Sequence, residues 1–191
     1  MSATTDQWPR AIRLKDRSEV LVRPLEPDDA PELAAAIERL SPESRYRRFL
    51  SPIPRLPASH LRSLTDVDHH TREALVAFDP SSRRGLGVAR WGLLADDPGA
   101  AEVAVGVADD KQRLGLASAL LRLLLDRAQA EGLREARAAT QGENRGALHL
   151  LERFGFRRTP SEGGVMAFAL ALDAAGRSPA VETDATTAKE P

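Results

Sequence analysis

The chain has 191 residues, a formal net charge of -1 and no cysteine. A near-neutral balance argues against bulk electrostatic binding to nucleic acid, and the lack of cysteine excludes disulfides, a thiolate nucleophile and cysteine-ligated metal sites. No unbroken apolar run approaches membrane length, so the expectation is one cytoplasmic domain with tails, no membrane partner and no nucleic-acid partner.

Residues 1–10 are polar and carry Asp6 and Pro9, which reads as a flexible N-terminal arm rather than a signal peptide. Ile12–Leu14 and Val20–Arg23 read as two short strands across a polar turn. Pro24 and Pro27 stop the second. Asp28 or Asp29 can cap a helix that buries Leu33, Ile37 and Leu40. Ser41-Pro42-Glu43 opens another helix, with proline at its first position and an acid in its first turn. That helix carries Arg45, Tyr46, Arg47, Arg48 and Phe49, either as a solvated basic face or as a wall facing substrate or cofactor. Residues 51–57 are proline-rich loop, and Ala58–Leu64 a short helix. His69 and His70 suggest metal, but adjacent strand residues point to opposite faces and His60 and His149 have no motif spacing, so a loop without metal is expected.

Strands are expected at Glu73–Phe78, Leu86–Leu94 and Glu102–Val107, with turns at Arg83–Gly85 and Asp96–Gly99. The last strand is apolar on both parities, as a central, doubly covered strand should be. After Asp109-Asp110-Lys111 comes a helix whose Leu116, Leu120, Leu124 and Ala128 recur every four residues, and Gly132 stops it. A weak strand at Glu135–Thr140, a helix at Arg145–Arg153 capped by Asn144, and two closing strands at Phe156–Thr159 and Val165–Leu172 complete the order β-β-α-α-β-β-β-α-β-α-β-β. Residues 173–191 lack aromatics and read as a disordered tail.

The joint between Val107 and Leu116 carries the functional signal. A strand feeding a helix through a short loop aims free backbone N–H groups and the positive end of the macrodipole at one spot. Gly115, Ala117 and Ser118 leave room for a ligand to approach the backbone. Such a site suits phosphate, although neither GxGxxG nor G-K-S/T is present. The alternative is an ordinary strand–helix joint with a glycine for packing.

Gln112-x-x-Gly115-x-Ala117, following Val105-x-Val107, resembles the acyl-CoA signature Q/R-x-x-G-x-G/A of the GNAT N-acetyltransferase family. Asn144 before a short helix, and Phe154-Gly155-Phe156 after it, follow in the family's order. The resemblance spans roughly residues 12–172, so 11–172 is the expected N-acetyltransferase domain. The Ser41–Phe49 run and Ala101-Glu102-Val103-Ala104-Val105 resemble the corresponding segments of bacterial Pat-type protein acetyltransferases.

The resemblance implies an α/β (α+β) fold, a mixed and mostly antiparallel twisted sheet with helices on both faces. It implies acetyl-CoA as co-substrate, with no metal. It places the cofactor on Val105, Gly106, Val107, Gln112, Arg113, Leu114, Gly115, Leu116, Ala117, Ser118 and Asn144. A backbone N–H near a bulge at Val105–Val107 would polarise the thioester carbonyl, and Asn144 would hold the pantetheine arm or serve as a plain helix cap.

A lysine amine of ordinary pKa, near ~10.4, is almost wholly protonated at neutral pH, so a base is useful. Glu102 is the candidate, the matching glutamate being the base in Pat-type enzymes. Desolvation in an otherwise apolar strand would favour its taking up a proton, whereas a structural Glu102 would pair with a neighbour such as Arg90.

The chain departs from many family members in having no tyrosine where an acid for the CoA thiolate is usual; Leu151 or a neighbour stands there, and Tyr46 lies far off in sequence. The expectation is direct acetyl transfer to a primary amine, with a protein lysine as acceptor, in a monomer or dimer. A small-molecule amine, or a non-catalytic acyl-CoA-binding regulatory domain, is the alternative.

Overall fold

A computed structural model describes residues 8–50, 57–161 and 164–172. The sheet has eight strands: β1 (Arg10–Arg13), β2 (Glu19–Pro24), β3 (Arg72–Phe78), β4 (Gly85–Leu94), β5 (Asp97–Val107), β6 (Glu135–Gln141), β7 (Arg157–Thr159) and β8 (Val165–Ala171). Their order is β1-β2-β3-β4-β5-β6-β8-β7. Every neighbouring pair is antiparallel except β5–β6, which is parallel. The helices are α1 (Ala30–Glu38), α2 (Pro42–Phe49), α3 (Ala58–Thr65), α4 (Leu116–Ala130) and α5 (Arg145–Arg153).

Strand alternation sorts the core into two layers. Leu75, Ala77, Ala89, Trp91, Ala101 and Val103 pack on the leucine stripe of α4 and on Leu151 of α5. Ala74, with the partly buried Val76 and Val88, packs on Leu33 and Ile37 of α1 and on Leu61 and Leu64 of α3. The sheet is thus mixed and covered on both faces, as expected. Gly87 sits where α4 comes closest: a Cβ there would lie 3.0 Å from a Leu120 methyl and 3.2 Å from the Gly106 carbonyl.

The ends of elements differ from expectation. The expected arm at residues 1–10 is partly structured: Arg10 opens β1, and Trp8 packs on the main core with the guanidinium of Arg10 4.8 Å from its ring centre. Residues 1–7 and the expected tail at 173–191 lie outside the described residues. Three short helices separate β2 from β3, the third at the expected Ala58–Leu64 position although the expected element order carried only two. Asp29 stands at the N-cap of α1 but its side chain does not cap it; both carboxylate oxygens receive Arg23 at 2.7 Å, and one also accepts the Glu26 N–H. Residues 97–99, expected as a turn, begin β5, where Leu94 pairs with Asp97.

One buried charge ties the layers together. Glu73 of β3 is 1% exposed and accepts Arg127 Nε of α4 and His69 Nδ1, both at 2.7 Å, and the Ala74 N–H at 2.8 Å. Removing one partner of such a set strands the other away from water. Glu73→Ala is expected to destabilise the fold by about 3–5 kcal/mol, measured by denaturant unfolding; a loss below about 1 kcal/mol, the ordinary effect of a surface change, would contradict this account.

Candidate active site

The parallel pair β5–β6 is joined over three positions only: Ala100–Glu135, Ala101–Ala136 and Glu102–Arg137. Beyond Glu102, β5 runs on to Val107 against β4, and β6 runs on to Gln141 against β8, so the two part in a V. The Arg134 N–H reaches the Gly99 carbonyl at 2.8 Å, and the Ala108 N–H reaches Leu86 of β4 at 2.9 Å. Alternation between these bonds turns the peptide groups of Val103, Val105 and Val107 toward β6 and those of Glu102, Ala104 and Gly106 toward β4; the Glu102–Arg137 pairing takes up the Val103 N–H, so the V opens from the Val103 carbonyl onward. The expected bulge at Val105–Val107 is absent; the register shift of this pair falls between Leu93 and Leu94. Divergence of the strands, not a bulge, frees the backbone.

The open end of the V lies at the carboxyl ends of both strands, where α4 and α5 begin. Gly115 is the N-cap of α4 at φ +95°, a conformation that suits glycine, and a Cβ there would meet nothing within 4 Å. Its side-chain-free cap leaves the N–H groups of Leu116, Ala117 and Ser118 ahead of the first intrahelical bond, from Ala119 N–H to Gly115 at 3.0 Å. They point outward at the positive end of a 15-residue helix. Across the V, Asn144 caps α5 by accepting the Ala147 N–H at 3.1 Å. The cap uses its oxygen and leaves its NH₂ group as a donor.

The remaining predicted residues divide by role. Leu116 is 1% exposed, so its side chain is core and only its backbone can meet a ligand. Leu114 also packs on the core, while its carbonyl accepts the Lys15 N–H. Arg113 is exposed at φ +62°, and Ser118 edges a second cavity of about 390 Å³ beside Arg122. Val105 and Val107 lean on the main core. Gly106 faces the other way, under Arg48: a Cβ would lie 3.3 Å from Arg48 Cδ.

Gln112 serves as a latch. Its amide donates to Asp109 at 3.0 Å, to Ser44 at 3.1 Å and to the Val107 carbonyl at 3.4 Å. Asp109 in turn accepts the Ser41 N–H at 2.7 Å and the Ser44 hydroxyl, joining the start of α2 to the β5–α4 loop.

Glu102 stands at the vertex of the V, on the α1–α3 side. It is exposed, so the expected desolvation within an apolar strand is not found: the alternation that buries Ala101 and Val103 turns Glu102 outward. The pairing with Arg90 is not found either. Arg90 lies across from Ala104 and donates to the carbonyls of Leu64 at 3.3 Å and Ser63 at 3.5 Å. Leu151, one of the neighbouring positions where the family's acid tyrosine is expected, is 6% exposed and belongs to the core; Tyr46 is 43% exposed on α2.

On the same side, a cavity of about 410 Å³ lies between the sheet and α1–α3. Leu33, Ile37, Phe49 and Val88 line it, Arg48 and Arg90 enter it, and it reaches Gly106–Ala108 of β5. Sequence reasoning left Arg48 within a basic stretch. The structure separates it from Arg47, which pairs with Glu43, and from Arg45, which turns back to the carbonyls of Glu38 and Leu40. The i, i+3 offset from Arg45 and the bare Gly106 were the available signals. Among the described residues no group of three or more His, Asp or Glu side chains is placed to hold a metal, and no helix is long and apolar enough to cross a membrane.

A sheet that splits beside a parallel pair, with two helix N-termini at the split, matches an acyl-CoA transferase layout, and the comparisons agree. The acetyltransferase (GNAT) domain model matches residues 19–157. The chain is 34% identical over 171 residues to acetyltransferase PA5475 of Pseudomonas aeruginosa, covering 87% of this chain and 90% of that protein. It superposes on the GNAT domain of PAT from S. lividans with a TM-score of 0.81 and 29% identity, covering 88% of this chain and 99% of that one. It shares its fold with yncA of Salmonella typhimurium, solved with its cofactor acetyl-CoA, at a TM-score of 0.67 and 18% identity over 84% of this chain and 98% of that one. The chain belongs to the GNAT acetyltransferase family. It is an acetyl-CoA-dependent N-acetyltransferase.

The Asp109 latch yields a test. Burial raises the Asp109 carboxyl, but hydrogen bonds from Ser44 and Ser41 outweigh it and hold it below the usual carboxylate range. A lowered folded-state value means the contribution is present above the unfolded value, near ~3.9, and is lost as pH falls through the lower folded one. Asp109→Asn is expected to lower stability at pH 7 by about 1 kcal/mol, the low end for bonds to a charged group because the carboxylate is exposed. Below about pH 4 the gap from wild type should close in paired thermal melts; a gap that widens there would contradict the latch.

Proposed function

We propose that this chain transfers acetyl directly from acetyl-CoA to the amine of a protein lysine, with Glu102 as the base. The observation that carries the reading is that the β6-facing edge of β5, from the Val103 carbonyl to the Val107 N–H, has no strand partner and begins one residue past the only carboxylate on that stretch of β5. Likeness to the PAT domain supports a protein acceptor.

The residues fit acetyl-CoA. The V offers strand-edge N–H and C=O groups to the amides of the pantetheine arm, and the Asn144 NH₂ stands across from them. Open space at Gly115 and the free N–H groups of Leu116–Ser118 suit the pyrophosphate. The N–H of Val105 or Val107 polarises the thioester carbonyl. The amine nitrogen bonds to the carbonyl carbon, the carbon–sulfur bond breaks, and the amine's proton passes to Glu102 directly or through water. Because Glu102 is exposed, water is always at hand to relay it. The sulfur leaves as a thiolate whose ordinary pKa, near ~8.5, makes an acid dispensable, consistent with Leu151 being core.

A small-molecule amine is the second reading, favoured by the 410 Å³ cavity, which is of small-ligand size. Either enzyme releases CoA thiol, and a non-catalytic acyl-CoA-binding domain does not.

Glu102→Gln is expected to lower kcat by roughly 10²–10⁴ with acetyl-CoA affinity and melting temperature unchanged; a stable variant of wild-type rate would remove Glu102 from the mechanism. Gly115→Glu places bulk and negative charge at the α4 N-terminus and should weaken acetyl-CoA binding at least about tenfold, or ~1.4 kcal/mol. Unchanged affinity by calorimetry would exclude this loop as the phosphate site.

A further inference from the structure

Two cations in the 410 Å³ cavity have no anion. Among the described residues Arg48 makes neither a hydrogen bond nor an ion pair; it lies over Gly106 and 5.1 Å from the centre of the Phe49 ring. Arg90 is bonded to backbone carbonyls only. Of the cavity's three acids, Asp29 is committed to Arg23 at 2.7 Å and Glu32 to Arg39 at 2.5 Å and to the Gly85 N–H at 2.7 Å, and Asp28 makes no ion pair with Arg48 or Arg90. Glu102 acts on Arg48 from a distance beyond ion-pair range.

Burial, then repulsion from Arg90, push the Arg48 guanidinium down to about 10, with Glu102 opposing. Burial and Arg72 lower Arg90 as well. Two part-buried guanidiniums against apolar walls, one of them repelled by the other, are costly unless an anion joins them. The planar fork of arginine matches a carboxylate in two parallel hydrogen bonds.

Position says which molecule brings that anion. The α4 and α5 N-termini lie on the opposite face of the sheet, so acetyl-CoA phosphates are held there. The Arg48 face is left for the acceptor. Along β5, Glu102, Ala104 and Gly106 share this face, and at about 3.3 Å per residue Ala104 stands ~7 Å from each of the other two. An amine beside Ala104 has the carboxylate of Glu102 on one side and the guanidinium over Gly106 on the other.

We propose that Arg48, with Arg90 behind it, is the specificity site for a carboxylate carried close to the acceptor amine. This deepens the proposed function and rests on the same face being the acceptor side. The carboxylate can come from an acidic residue beside an acceptor lysine or from a free amino acid whose apolar side chain enters between Leu33, Ile37 and Val88.

The test compares matched probes on CoA-saturated protein. N-acetyl-leucine is titrated against N-acetyl-leucinamide by calorimetry, and an acetylated Lys–Glu peptide against Lys–Gln. The unacetylated forms of the same four are compared in turnover. Wild type should favour the acid member of one pair by about tenfold or more, the worth of one charge-assisted contact. Arg48→Gln should erase that preference, and Arg48→Lys should keep part of it, with acetyl-CoA affinity and melting temperature as folding controls. The preferred pair identifies the source. Equal binding of acid and amide by wild type, or a preference that survives Arg48→Gln, overturns the proposal. Calorimetric preference with no turnover on any amine supports the anion site and counts against the acetyl-transfer reading, so the two fail separately.

Discussion

Backbone hydrogen bonding between β5 and β6 stops at Glu102–Arg137, and the geometry of the site depends on that stop. Each strand keeps its other neighbour, so the sheet survives the split: β4 holds β5 to its end and β8 holds β6. Buried peptide groups without partners are costly, and here they line an opening where a ligand with amides of its own can pair with them. The leucine face of α4 pins β4 and β5 from one side, so the opening is held by the core rather than by a mobile loop.

The two halves of the site are mechanically joined. Asp109 and Gln112 belong to the loop that presents the α4 N-terminus. Ser41 and Ser44 begin the helix that lays Arg48 over Gly106. Four side chains therefore link the β5–α4 loop to α2. Glu73 does similar work at the other end of the sheet, fixing α4 to β3 through Arg127 and holding His69. The adjacent histidines that suggest metal in the sequence are thus accounted for differently: His69 by Glu73, and His70 by a 3.6 Å approach to Glu131.

Much of the fold was legible because it is written locally. Glycines with positive φ at 115, 132 and 155 end or begin helices where the sequence placed them, and the leucine repeat of α4 needs only helical spacing. The environment of Glu102 was not legible. A strand apolar on both parities reads as covered on both faces, but the residue at the vertex of a splay has no helix over it, and the splay is a pairing event between segments 35 residues apart. Arg48 was hidden for a similar reason. Its sequence neighbours Arg45 and Arg47 are taken up locally, by the Glu38 and Leu40 carbonyls and by Glu43, and only the register of β5 reveals that a glycine lies beneath Arg48. Local chemistry at Asn144 and Ser41, by contrast, was readable, since a cap acts within its own first turn.

The central claim is that the β6-facing backbone groups from the Val103 carbonyl to Val107 and the N–H groups of Leu116 to Ser118 together receive acetyl-CoA. Residue-resolved amide hydrogen exchange, with and without acetyl-CoA, tests it most directly. The amides of Val105, Val107, Leu116, Ala117 and Ser118 should become protected on binding, while that of Val103, already bonded to β6, and those of Glu102, Ala104 and Gly106, which face β4, should change little. Protection appearing elsewhere with these five unchanged, or equal protection on both parities of β5, would contradict the account.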